Sequence, residues 1–574
     1  MLRDPSQKSV GLLALGKDRF PDLTNDEKTM LSQVVTPDRV IYGPGPPIEN
    51  GEWELGWTSK TAYDPKSSEW KDREVRAKVI RWLCVDREAI RLVDPRGIQL
   101  WFARITGNLD LSYVDVPFPI ALSWCRVEGV LHFDSCQIPA LSMQGCWAAL
   151  GVTANSATVK RDVFFGHGFK AERSVELYGA QIGGSVDFQG SSVSDRSGDV
   201  DSSVEPVAIL ADEVNIGGKM LLCASQPDPW LRTPAAPFTA NGAIRLRGAR
   251  VGGDVSCSGG CFINEGHNAI VLELAAVKGG IFFTPSGDLK IPKRFFPFQA
   301  HGHIDLRGCT VNTFQDGNPF VEGKAVNHDQ DVKSKEVEWK PFEFEDNDKS
   351  ERCEAGRKVP PKHSLFLEGF AYDRILPSEP KLRLPWLCQN AFGSTEPYER
   401  LARSLENSGD TAGAKRVRIE MEDGISRKDL LPVRLCKRFV AYGYHNENAA
   451  FGLAVVTALG FAVVSWRCGR INKKNEGKKD HEKERVMVCS GEEAKVQRFS
   501  PLFYSLENTF PLVKLGQADK WTPNPWPPVP DPGRDFWKWM KLSGFLQVFV
   551  WVQILLGWFL ATLFVAGLLG VFRH

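Results

Sequence analysis

The sequence has almost no excess of charge of either sign: 71 Lys and Arg stand against 70 Asp and Glu, a formal net charge of +1. Without a global positive field nothing draws a polyanion to the chain, so no nucleic-acid partner is expected. The short signatures of common enzymes are also missing. There is no GxxxxGK(S/T) to cradle phosphate, no GxSxG nucleophile turn and no HExxH zinc helix. The GG pairs at 183, 217, 252 and 279 are not followed by helical periodicity, so a dinucleotide site of the usual kind is absent. The 13 cysteines include no CxxC. Cys257 and Cys261 lack a His or Cys partner at finger-like spacing, so zinc is not expected. Cys125, Cys136, Cys146 and Cys309 lie among apolar and small residues. They read as buried free thiols rather than disulfides, which favours a reducing compartment.

What the chain does contain is apolar. Hydrophobic residues make up 43% of its 574 positions, ample for a core and incompatible with wholesale disorder. Two runs near the C-terminus are free of charge: Ala449 to Trp466, 18 residues, and Leu542 to Phe572, 31 residues. A bilayer core needs about 20 apolar residues as helix. Both runs read as transmembrane helices, over about 449–466 and 544–571. Trp521, Trp526, Trp537 and Trp539 precede the second, as an interfacial aromatic belt does.

The middle of the chain carries a recurring template. From Ile98, apolar or small residues fall at offsets 0, 2, 5, 7, 11 and 13, with Gly107 at offset nine. Further copies start at Ile120, Val152, Val175, Ile209, Ile244, Ile270 and Ile304. Gly129, Gly184, Gly218, Gly253 and Gly279 hold the offset-nine place in five of them. Alternating apolar positions mark very short strands, and the glycines are expected at tight corners, where positive φ and close backbone approach are needed. The expected class is therefore mainly β: a right-handed β-helix, or solenoid, over residues 98–376 with loop insertions. An N-terminal segment with a helical cap (1–97) precedes it, a helical connector (377–440) follows, and a membrane module (441–574) ends the chain.

Segments such as IRLRGARVGGDVSCSG and VELYGAQIGGSVDFQG resemble pentapeptide-repeat-related bacterial β-helices. The order of PYERLARSLENSGDTAGAKRVRIEMED, VAYGYHNENAAFGLAV, FYSLENTFPLVKLGQADKW and QILLGWFLATLFVAGLLG is similar to a family of bacterial membrane proteins with a repeat domain and a membrane tail. The resemblance covers roughly residues 70 to 574. It implies the label membrane-associated oxidoreductase, which some relatives carry; no residues in this chain supply redox chemistry.

Local signals fill in the rest. Thr24 and Glu27 have capping-box spacing at a helix start. Val75, Val79, Ile80 and Leu83 share one helical face in the expected cap. Residues 325–360 are strongly polar and read as an insertion. Residues 395–423 read as a helical hairpin broken at Gly409-Asp410. His301 and His303, beside Asp305, would share a face of one strand and could bind a metal, but the pair reads as ordinary surface histidine. Asp110 and Asp187 read as solvated outward carboxylates.

Between the two apolar runs, residues 499–516 are apolar apart from Glu507 and Lys514 and are interrupted by Pro501 and Pro511. The segment reads as an interfacial helix lying on the bilayer. A re-entrant pore segment is the alternative, with Glu507 the natural cation-attracting group, although no TVGYG-type filter is present. In the second apolar run, Gly557 and Ala561 lie four apart, so they share a face fit for close helix packing. The expected partner is the stripe Ala454, Ala458 and Ala462.

Two topology cues disagree. The N-terminal run Val10 to Leu15 is too short for a signal peptide, which places the N-terminal domain in the cytoplasm. Yet residues 467–487 carry eight Lys or Arg against four in 428–448, which favours a cytoplasmic connecting loop. The first cue outweighs the second, because a folded domain of this size rarely crosses a membrane without a signal peptide. The expectation is a multi-pass protein of the cell membrane without enzymatic activity, cofactor or metal. It would act as a membrane-anchored interaction scaffold, with the lipid bilayer and an unidentified protein on the solenoid face as partners. An oligomeric ion channel gated by the solenoid is the alternative, and homo-oligomerisation is left open.

Overall fold

A computed structural model describes residues 4–42, 48–49, 52–53, 70, 73–195, 205–227, 235–287, 295–321, 324–325, 338–342, 344, 363–391, 393–425, 447–477, 479, 486–489, 498–510, 513–524 and 545–569. Most of the polar insertion at 325–360 lies outside these residues, as do Trp526, Trp537 and Trp539. The chain divides into two units, Met1–Val417 and Arg418–His574.

The first unit opens with helices α1 (Pro5–Arg19) and α2 (Asn25–Gln33). The α2 capping box forms: the Glu27 amide donates to Thr24 Oγ1 at 3.1 Å, and the Thr24 amide donates to Glu27 Oε2 at 3.0 Å. Helices α3 (Ala77–Val85) and α4 (Arg87–Leu92) follow the strand Glu74–Arg76. Val79, Ile80 and Leu83 are buried on one face of α3, as expected; Val75 is buried too, but on the strand before the helix, which corrects its placement on the helical face. The strands Val40–Ile41 and Glu74–Arg76 pair with Leu100–Trp101 and Arg104–Thr106, so one edge of each sheet at this end is covered by the N-terminal segment.

Two sheets of sixteen strands each run through the rest of the unit, and the pairings within them are parallel. With ten helices among the described residues, the chain is mixed α/β. This corrects the expected mainly β, right-handed β-helix class. Apolar alternation finds short strands; it does not register the four helices before residue 98 or the six after 376. Those helices, with the two large sheets, set the class.

The register also corrects the equivalence of the template copies. Ile98 pairs with Ile120, and Leu100 with Leu122, in one sheet. The later starts lie in the other sheet: Val152 pairs with Val175, Val175 with Ile209, Ile209 with Ile244, Ile244 with Ile270, and Ile270 with Ile304. Val152 pairs on its other side with Leu131, at offset eleven of the second copy. The template thus slips between Ile120 and Val152. Offsets 0–2 and 11–13 both read apolar-x-apolar, so sequence alternation alone cannot tell one sheet from the other.

The corner glycines show the close backbone approach expected of them but, except at one, not the positive φ. Of the six, only Gly107 has positive φ, at 80°. At Gly129 a Cβ would lie 2.2 Å from the Gly107 carbonyl oxygen, so what this site needs is absence of bulk. Gly184, Gly218, Gly253 and Gly279 follow the same rule, each lying tight against the preceding corner. Left-handed backbone falls instead at offset four of all eight copies: Phe102, Trp124, Ser156, Gly179, Glu213, Gly248, Leu274 and Gly308, with φ between 49° and 65°. The non-glycine residues there carry a conformational cost that the surrounding ladder holds in place.

The core is continuous and aromatic along part of its length. Phe165 and Phe188 stack at 4.8 Å, and Phe283 and Phe298 at 4.7 Å. Leu246, Val251 and Val255 point inward, at most 2% exposed. At the far end, Ala371–Leu376 pairs with the strand Thr310–Asp316. Helix α5 (Pro380–Leu387) then carries Arg383 into the core against Asp316. Helices α6 (Glu396–Asn407) and α7 (Thr411–Ile425) form the expected hairpin, burying Leu401, Leu405, Ala414 and Val417.

Candidate functional site

Within the first unit the chemistry-bearing side chains are engaged structurally. Among the described residues no group of three or more His, Cys, Asp or Glu is gathered to hold a metal. Asp305 is taken by Arg307, whose Nε and Nη2 donate to it at 2.9 and 2.5 Å. His303 Nδ1 accepts from the Ser364 amide at 3.0 Å, and its ring lies 6.2 Å from that of His363. Burial, followed by the neighbouring His363 and His267, holds His303 below the usual histidine range. Asp110 caps the Ser112 amide at 2.9 Å, and Asp187 accepts from the Gln189 amide at 2.8 Å.

Cys125, Cys136, Cys146 and Cys309 are buried free thiols, as expected. Burial pushes Cys136 and Cys309 up to about 12, which makes them poor nucleophiles. Cys388 is disulfide-bonded, so the free-thiol reading made for those four cysteines does not extend to every cysteine of the chain.

The second unit holds a polar arrangement that sequence reasoning found only in part. Helices α8 (Glu447–Lys474) and α10 (Phe545–Leu568) are long and apolar enough to cross a membrane. The short helix α9 (Pro501–Thr509) lies between them in sequence, and the strands Met487–Cys489 and Trp521–Pro523 pair antiparallel on either side of it. That pairing brings both ends of the α9 segment back to one place.

Helices α8 and α10 pack antiparallel. Ala449 meets Leu563, and Val464 clusters with Leu546 and Val550. Gly452 lies under Leu560, and a Cβ on Gly460 would sit 2.3 Å from the Gln553 amide nitrogen. The contact stripe of α8 is Ala449, Leu453, Thr457, Gly460 and Val464, at the three- and four-residue spacing of one helical face. Ala454, Ala458 and Ala462, the stripe expected from sequence, are exposed.

Gly557 is a close-packing residue, but its neighbour is α9 rather than α8. A Cβ there would lie 2.2 Å from the Thr509 carbonyl oxygen. Ala561 is only half-buried. Four residues before Gly557, Gln553 Nε2 donates to the Ser505 carbonyl at 3.0 Å and to Thr509 Oγ1 at 2.9 Å. The pairs Ser505–Gln553 and Thr509–Gly557 step by four on both helices, so α9 runs parallel to α10 and reaches its middle. Gln553 Oε1 and Ser505 Oγ are buried without a hydrogen-bond partner among the described residues.

Glu507 is buried on the other side of α9. Its carboxylate accepts from the amides of Gly516, Gln517 and Ala518 at 3.2, 2.7 and 2.8 Å. The Ser500 amide in turn donates to Gln517 Oε1 at 3.2 Å. Glu507 therefore folds the chain after α9 back alongside the helix. A carboxylate committed to three amides is not free to line a passage, which changes the role expected for it. Gln553 was the signal available in the sequence: an amide inside an otherwise apolar run needs a partner.

Comparison with known proteins adds no relative: no protein-family model, no curated protein and no solved structure matches the chain.

Proposed function

We propose that this chain is a multi-pass integral-membrane protein whose second unit is a pore-type module, and that copies of it assemble into an ion-conducting channel. One observation carries the reading: α9 runs parallel to α10 and ends against Gly557, midway along a helix of membrane-spanning length. Nine helical residues rise about 13 Å. A helix of that length entering beside α10 stops near the bilayer centre and has to turn back. The antiparallel strands at 487–489 and 521–523 support entry and return on the same side. A helix lying flat on the bilayer would not place Ser505 and Thr509 on the middle of α10.

Irregular backbone at membrane depth is tolerated only where protein or water covers it. The segment after α9 meets that condition if several copies surround an aqueous path. Eight of the described free cysteines lie in the first unit and support a reducing, cytoplasmic side for it, although the bonded Cys388 of the same unit argues the other way. The test is salt-loaded liposomes containing the purified full chain. Release of ions by protein that runs as more than one copy in mild detergent is expected. A monodisperse single copy with no release would overturn the reading.

A membrane-anchored interaction scaffold is the second reading. It is favoured by apolar side chains that the first unit leaves in solvent, including Tyr113 at 84% and Leu150 at 47% exposed.

A further inference from the structure

The chain after α9 carries a charge to the depth at which α9 ends. Thr509 touches Gly557, the thirteenth residue of α10, roughly 18 Å along that helix from Phe545. The return is pinned just behind this tip, where Gly516, Gln517 and Ala518 donate to Glu507. Lys514 lies in sequence between these two fixed points, next to Val513, whose amide donates to the Phe510 carbonyl just past the α9 tip at 3.0 Å. It is two residues before Gly516, so its Cα is within about 7 Å of the pinned amide. The side chain of Lys514 is exposed, and so are its neighbours Val513 and Leu515, at 38% and 39%.

A lysine exposed to hydrocarbon at mid-depth costs about 2.5–3.5 kcal/mol. Nearby cover does not remove that cost. The one carboxylate of α9, Glu507, is occupied by three backbone amides. No ion pair with Lys514 is formed among the described residues. The backbone around Lys514 is non-helical, which lipid does not tolerate either. Both costs vanish if Lys514 faces water enclosed by neighbouring copies.

We infer that Lys514 of each copy projects into an aqueous path closed by other copies of this chain, forming a ring of ammonium groups that makes the path prefer small anions. The inference rests on the pore reading. A single copy supplies only one wall and one charge, so the site is incomplete without its partners. A ring of fixed positive charge raises the local concentration of anions and repels cations, the inverse of a carboxylate ring.

The experiment is the reversal potential of the reconstituted full chain under a potassium chloride gradient. The expected value lies toward the chloride equilibrium potential. Lys514→Gln should weaken that preference, Lys514→Glu should move the reversal potential toward potassium, and Lys514→Arg should keep the chloride preference. Cation-selective current from the unaltered protein would overturn the inference and leave the pore reading standing. So would selectivity unchanged in both Lys514→Gln and Lys514→Glu. Absence of any current from membrane-inserted protein would overturn the pore reading itself. Should Lys514→Glu fail to insert, the neutral and arginine variants and the unaltered protein still decide the matter.

Discussion

Gln553 Nε2 donates to Thr509 Oγ1 at 2.9 Å, joining the middle of a membrane-length helix to the last residue of a nine-residue one. Thr509 Oγ1 itself donates to the Ser505 carbonyl at 2.8 Å, so the amide orientation is set by what α9 presents. Replacing Gln553 by Leu, or Thr509 by Val, should each destabilise the second unit by about 1 kcal/mol. The double variant should cost less than the sum of the two. Unfolding of the full chain in mixed detergent micelles measures this, and strict additivity would show that the two side chains do not act on each other.

A second buried pair closes the far end of the sheets. Arg383 Nη2 lies 2.6 Å from Asp316 Oδ1, with the side chains 0% and 1% exposed. Arg383 also donates to the carbonyls of Pro377 and Leu376 at 2.6 and 2.7 Å and lies 4.9 Å over the Trp386 ring. Burial pushes the Asp316 carboxyl upward, and the facing guanidinium only partly offsets this. Arg383→Ala leaves that carboxylate buried and unpaired, a loss of about 3–5 kcal/mol. A thermal midpoint equal to that of the unaltered chain would contradict the pairing.

Inward orientation along the ladder is tested at Leu246, which is fully buried. Leu246→Asp places a charge where no partner exists and should cost several kcal/mol, on the order of 3–5. Leu246→Met nearly conserves volume and should cost less than about 1.5 kcal/mol. Equal midpoints for the two variants would refute the orientation.

The N-terminal helices should respond to acid. Burial alone would raise the Glu27 carboxyl, but hydrogen bonds from Arg76 and from the Thr24 and Arg76 amides outweigh it and hold the group below its usual value. Arg76 Nε donates to Glu27 Oε1 at 2.6 Å. A depressed folded-state pKa means this stabilisation is complete above the ordinary carboxyl range and is lost as pH falls through the lowered value. Glu27→Gln should cost roughly 1.5–3 kcal/mol at neutral pH. Its midpoint should change less than that of the unaltered chain between about pH 5 and pH 3. Parallel pH profiles would contradict the role given to Glu27.

The sequence revealed features set locally. The charge-free runs located α8 and α10, the capping box located the start of α2, and alternation located the inward residues from Ile98 to Ile304. Features set by distant partners were not visible. Left-handed backbone at Phe102, Trp124, Glu213 and Leu274 carries no residue signal, because the stacked ladder imposes it on side chains that rarely adopt it. Gly557 was recognisable as a contact residue, yet its spacing could not distinguish a neighbour on α8 from one on α9. Glu507 looked available only because the amides it binds, nine to eleven residues later, come within reach through the turn at Gly516. The two-sheet arrangement was hidden because both sheets share one alternation.

Ion conduction by Gly557→Leu against the unaltered chain tests the central claim most directly. A side chain at Gly557 would occupy the space of the Thr509 carbonyl, so α9 could not reach the middle of α10. Helices α8 and α10 keep their length and apolar surface, and the variant should remain in the membrane after alkaline carbonate. The account predicts measurable current from planar bilayers containing the unaltered protein and none, or a severalfold loss, from the inserted variant. Equal current from both would contradict it, as would silence from the unaltered protein.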